Sequence, residues 1–195
     1  MKQQGMSVLA ALAMVILDLG LPACTTAPVS QAKKEEQRTE VRDTANEVLR
    51  LWYAKHPGAE QSVKKSAGYA VFSDAGYKVL FMGGAKGAGI AVNNSDKRTY
   101  YMKMLELQPG LGLGAEKFHV IFLFATSQAF HDFVTHGWEA GASAMSLAKT
   151  SSMNRGGAVA VSVMPGVTMH QLNDKGVIVG VGITGAKFYK DSELN

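Results

Sequence analysis

The chain has 195 residues, of which 20 are basic and 16 acidic, with a net charge of +4 and one cysteine. This length suits one domain with a core of its own. A lone cysteine excludes an internal disulfide, so burial must supply the stability. The mild positive charge favours an anionic surface, and no nucleic-acid-binding motif accompanies it.

Lys2 is followed by a mostly apolar run from Met6 to Leu17, the length of a signal h-region and too short to span a membrane. Leu21-Pro22-Ala23-Cys24 comes next and resembles a bacterial lipobox, in which the thiol takes a diacylglyceryl group, the chain is cut before the cysteine, and the new N-terminus is acylated. The competing readings are a plain secretory signal that leaves a free thiol, and an uncleaved anchor. Thr25 stands where an inner-membrane retention signal carries Asp, which favours the outer membrane by analogy. Residues 1–23 thus read as a lipoprotein signal peptide, 24–32 as a flexible tether and 33–195 as the domain.

Lys33 to Lys55 reads as a helix, with Val41, Ala45, Val48, Leu49 and Trp52 as its apolar stripe and a charge-balanced opposite face. Pro57-Gly58 ends it, and a short helix over Ala59 to Ser66 follows. Strands are expected at Tyr69 to Phe72, Lys78 to Met82, Gly89 to Val92, Thr99 to Leu107 and Phe118 to Phe124. Ser127 is the expected cap of a helix that places Phe130, Phe133, Val134 and Gly137 on one face. Trp138 to Lys149 carries no clear signal. Val159 to Val163, Val167 to Leu172 and Val177 to Thr184 read as strands, the last two joined by a turn at Asn173 to Gly176. The expected fold is α+β: one or two N-terminal helices packed on a strongly curved, mainly antiparallel sheet or barrel with one inserted helix. Glycines inside the strands permit curvature and close backbone approach.

The search for catalytic chemistry finds no convincing constellation. Gly180 to Gly185 fits G-x-G-x-x-G but has neither a following helix nor a distant acid. Gly83 to Gly87 lacks the G-K-[ST] step of a phosphate loop. The five histidines form no metal-binding pattern, and Asp132 and His136 at i,i+4 read as a surface pair. No catalytic residue, metal site or cofactor is therefore assigned, apart from the acyl chains expected on Cys24. A cleft gathering His131, Asp132 or His136 would reopen the enzyme reading. The suggestive groups are basic: Lys64 and Lys65, Lys78, Lys86, Lys97 and Arg98, and Lys187 and Lys190 around Phe188-Tyr189. Each pair alone is ordinary surface; converging on one face, they would attract an anionic bilayer.

Gly68-Tyr-Ala-Val-Phe72, Gly83-Gly-Ala-Lys-Gly-Ala-Gly89, Gly110-Leu-Gly-Leu-Gly-Ala-Glu116 and Lys175-Gly-Val-Ile-Val-Gly-Val-Gly-Ile-Thr-Gly185 occur in this order, around a helix containing Phe130 and Phe133. Together they resemble the SYLF domain, a lipid-binding module of bacterial envelope and eukaryotic actin-patch and endosomal proteins. The resemblance covers about Arg42 to Tyr189. It implies binding of anionic phospholipid without catalysis and, in some members, binding of actin filaments. For an outer-membrane lipoprotein it implies an acidic bacterial lipid. The basic residues Lys64, Lys65, Lys78, Lys86, Lys97, Arg98, Lys187 and Lys190 are the expected headgroup contacts. The rival expectation is a protein-interaction module, an envelope structural protein or actin binder, using exposed Phe188 and Tyr189.

Overall fold

The computed structural model describes residues 30–74, 84–107, 118–140, 160–175 and 185–195. Chain order is α1 (Gln31–Lys55), α2 (Ala59–Lys65), β1 (Gly68–Asp74), β2 (Gly84–Asn93), β3 (Thr99–Leu107), β4 (Phe118–Phe124), α3 (Ser127–His136), β5 (Trp138–Ala140), β6 (Ala160–Met164), β7 (Val167–Asn173) and β8 (Ala186–Lys190). The strands form one antiparallel sheet in the order β5-β8-β3-β2-β1-β4-β7-β6, curled into a half-barrel. The α+β expectation holds, with the sheet open rather than closed.

Alternation along the strands gives this sheet two buried faces. One collects Phe72, Met102, Met104, Phe118, Phe122, Phe124, Met169 and Phe188, and α3 covers it with Phe130, Phe133 and Val134. The other collects Val71, Ile90, Val92, Tyr101, Ile121 and Leu172 beneath Ala45, Val48, Leu49 and Trp52 of α1 and Val63 of α2. The central strand β4, Phe-His-Val-Ile-Phe-Leu-Phe, is accordingly buried on both sides.

The glycines of β2 work by close approach. A Cβ on Gly89 would stand 2.2 Å from the Val71 carbonyl oxygen and 2.6 Å from the Phe72 ring, and one on Gly87 would stand 2.7 Å from the Ser73 carbonyl oxygen. Phe72 thus lies against bare backbone, its ring centroid 4.8 Å from that of Phe188 and 6.0 Å from that of Phe122.

Three expectations change. The cap of α3 is Thr126, not Ser127: its hydroxyl accepts the Ala129 N–H, and Ser127 is the first helical residue. Gly137 is not on the helix face but ends the helix at φ +73°, where a side chain is disfavoured. Phe188 is 1% exposed, a core residue, whereas its neighbour Tyr189 faces out. The expected strands at Lys78 to Met82 and Val177 to Thr184, and the glycine motif at Gly110 to Gly114, lie outside the described residues.

The last residues clasp α1 to β3. Asp191 N–H donates to the Tyr101 carbonyl, and Asn195 holds the Tyr101 N–H at 3.0 Å and its carbonyl at 2.7 Å through its side-chain amide. The Leu194 side chain enters the core beneath α1, while its carbonyl accepts the Arg38 Nε–H at 2.7 Å. Leu194→Ala should therefore cost about 2 kcal/mol. Urea titration should show a lower midpoint at unchanged slope, and hydrogen exchange should rise around Arg38. An unshifted midpoint would mean that the clasp is not tied to the fold.

Candidate functional site

The predicted cations fall into two groups. The first surrounds one end of the sheet. Asn94, in the turn between β2 and β3, donates from its side chain to the carbonyls of Val63 at 2.7 Å and Ser66 at 2.9 Å, and from its backbone to the Ala67 carbonyl. These bonds fasten the turn to the end of α2, so that Lys64 and Lys65 lie at the same end of the sheet as Lys97 and Arg98. Lys190 reaches the same end at the close of β8: its Nζ lies 5.5 Å from the Tyr100 ring centroid, and the Arg98 guanidinium carbon lies 5.4 Å from it.

The charges of this group are unevenly matched. Lys64 pairs with Glu60 at 2.6 Å. Lys65, Lys97, Arg98 and Lys190 form no ion pair among the described residues. Asp96 is occupied within its own turn, where it accepts the Arg98 backbone N–H at 3.0 Å. Asp191, next to Lys190, is buried and committed elsewhere: it lies 3.2 Å from the Lys103 ammonium and accepts the N–H groups of Glu193 and Leu194. Burial pulls the Lys103 pKa down, but its bonds and charge contacts with Asp191 and Glu193 outweigh this and leave it raised.

The second group is Lys86 and Lys187. They flank Leu105 across β2, β3 and β8 on the face that also carries α1. Lys187 is paired with Glu139 at 3.4 Å, and both are exposed. The eight expected headgroup residues are therefore not one patch. Arg98 and Lys190 meet at Tyr100, with Lys97 next to Arg98 in the turn; Lys64 and Lys65 lie at the same end of the sheet but on α2, which covers the opposite face; Lys86 and Lys187 stand apart, and Lys78 and Cys24 lie outside the described residues.

Tyr100 is the residue that sequence reasoning missed. It is half-buried, with its ring edge against Phe130 at 6.0 Å between centroids. The Arg98-x-Tyr100 alternation was legible as one face of a strand. Lys190 was not, because its neighbour in space is 90 residues away.

The surface histidines do not assemble. His131, Asp132 and His136 are exposed on α3, and Asp132 accepts a hydrogen bond from Gln128 at 2.8 Å. No group of three or more His, Cys, Asp or Glu is placed to hold a metal among the described residues. None of their helices is long and apolar enough to cross a membrane. A second unforeseen cluster lies under α1. The His170 ring of β7 stands 4.8 Å from that of Trp52, and His170 Nδ1 and Trp52 Nε1 are buried without a hydrogen-bond partner among the described residues. Burial, with a smaller effect from the nearby His56, lowers the His170 pKa to about 4. In the same region burial raises that of Tyr53 to about 12, aided by Tyr69 and Glu60.

No family model matches the chain. The chain is similar to beta cell expansion factor A of Aeromonas veronii. The two are 29% identical over 160 residues, which is 82% of this chain and 59% of that protein. The chain thus spans less than two thirds of its relative's length, and the relative's name states no ligand or chemistry.

Proposed function

We propose that this chain is a SYLF-like, lipid-anchored protein of the bacterial outer membrane whose domain binds anionic phospholipid without catalysis. The observation that carries this reading is the meeting of Arg98 and Lys190 at Tyr100, with Lys65 and Lys97 at the same end of the half-barrel and none of the four in an ion pair among the described residues. Each cation close to an anionic bilayer contributes about 1 kcal/mol, so a group of this size gives useful affinity where one pair gives little. Cys24 supplies the anchor, and the basic end supplies headgroup contact.

The rival reading is a protein-interaction module docking to an envelope protein or an actin filament. Its support is Tyr189, at 38% the exposed large hydrophobic residue of the described surface. With Phe188 buried, the apolar pair on which that reading rested is reduced to one side chain.

Co-sedimentation of the full chain carrying Cys24→Ser separates the two. The expected result is retention on phosphatidylglycerol-containing vesicles, weakening as salt rises, and little retention on phosphatidylcholine alone. Equal retention on both would remove the electrostatic reading. Salt-insensitive capture by purified actin, with no preference among vesicles, would favour the rival.

A further inference from the structure

We infer that Arg98, Tyr100 and Lys190 form a subsite for the phosphodiester of one anionic lipid headgroup, with Lys97 as its outer cation. This inference rests on the lipid-binding reading and adds to it the residues that hold the headgroup. Arg98 immediately precedes β3, and Tyr100 is its second residue. Lys190 comes from β8, where it is paired in register with Met102, the next residue along the same face. Both cations therefore meet at a single ring, at 5.4 and 5.5 Å.

Two like charges drawn to one ring repel each other, and the ring's quadrupole offsets only part of that cost. Neither neighbouring acid is ion-paired with them: Asp96 accepts the Arg98 backbone N–H, and Asp191 pairs with Lys103. A single anion reached by both side chains would offset the rest. The guanidinium fork fits two oxygens of a phosphate, and the ammonium serves as a point charge beside it. Tyr100 suits a lipid boundary, with an apolar ring fixed against Phe130 and a polar tip.

The turn supports the assignment independently. Its backbone is fixed by Lys97 N–H to the Asn93 carbonyl at 2.9 Å and Asn93 N–H to the Arg98 carbonyl at 3.0 Å. Within it Lys97 adopts φ +60°, the one non-glycine residue with positive φ among the described residues. Glycine would occupy that conformation without strain. A lysine stands where glycine would be unstrained, and use of its side chain would account for that choice.

Vesicle titration of the full chain, with Cys24→Ser in every arm, tests the subsite. On phosphatidylglycerol-containing vesicles, Arg98→Gln and Lys190→Gln should each weaken binding about five-fold. The double variant should lose less than the product of the two, because both serve one phosphate. Lys175→Gln, the same charge change beyond β7 at the opposite end of the sheet, should weaken binding by less than about two-fold. Lys97→Gly should raise the melting temperature by about 2–4 °C while weakening binding; a purely structural lysine would not move the two in opposite senses. If wild type prefers anionic vesicles and the Arg98 and Lys190 variants bind as it does, the subsite is wrong and the lipid reading stands. If wild type shows no preference, both fall. Displacement from vesicles by millimolar inorganic phosphate would assign the site to free phosphate and overturn the lipid assignment.

Discussion

Acidification from pH 7 to pH 4 should remove about 3 kcal/mol of stability through His170 alone. The ring lies between β7 and α1, against Trp52, with Nδ1 buried and unpartnered. Charging it there creates a cation without an acceptor, opposed by His56 at the end of α1. Its folded pKa is lowered to about 4 from the ordinary 6.5. The unfolded chain therefore binds the proton first, and stability falls as pH drops through that window. The full contribution is present above pH 6.5, about 2 kcal/mol is gone by pH 5, and the loss levels off below pH 4. His170→Leu should flatten the urea midpoint against pH across this range. Trp52 emission should change with wild-type titration in a Trp138→Phe background. Parallel pH profiles for wild type and His170→Leu would show that His170 is not the group responsible.

Legibility followed the range of the interactions. The α1 stripe was readable because a helix buries every third or fourth residue, and Ala45, Val48, Leu49 and Trp52 are the positions that the core takes up. The limits of β3 and β4 were readable because β-branched and aromatic residues stop at polar or glycine-rich sequence. Phe188 was misplaced because its sequence, Ala-Lys-Phe-Tyr-Lys, mixes both environments; pairing with β3 and β5 decides which side goes inward. The same pairing gives the candidate site its third member, so Lys190 was legible as a cation but not as a neighbour of Tyr100. His170 belongs to this class too. On its strand it is one residue of Val-Thr-Met-His-Gln-Leu-Asn, and only the docking of α1 buries it.

The two proposed membrane contacts divide the work by energy. The basic end of the sheet yields a reversible, salt-dependent attraction that sets orientation and lipid preference. It cannot hold the protein on a neutral surface. Acyl chains can, because each buried methylene adds about 0.8 kcal/mol regardless of headgroup.

Cys24→Ser should accordingly abolish stable anchoring while leaving the fold intact. The chain has one cysteine, so no other thiol can accept the diacylglyceryl group. A single acyl chain holds a protein only marginally, whereas diacylglyceryl plus an N-acyl chain holds it firmly. The wild type should therefore partition wholly into detergent and resist high-salt extraction. Expressed without residues 1–23, the serine variant should move to the aqueous phase at high salt and keep only the binding supplied by its basic end. The buried apolar residues of the described cores begin at Ala45 and lie C-terminal to the substitution. Its urea midpoint should match that of the wild-type domain. Intact-mass analysis of membrane-extracted protein checks the cause: the wild type should show cleavage before Cys24 together with the added acyl mass. A wild-type mass equal to the unmodified chain would exclude lipidation at Cys24 and leave the basic end as the membrane contact.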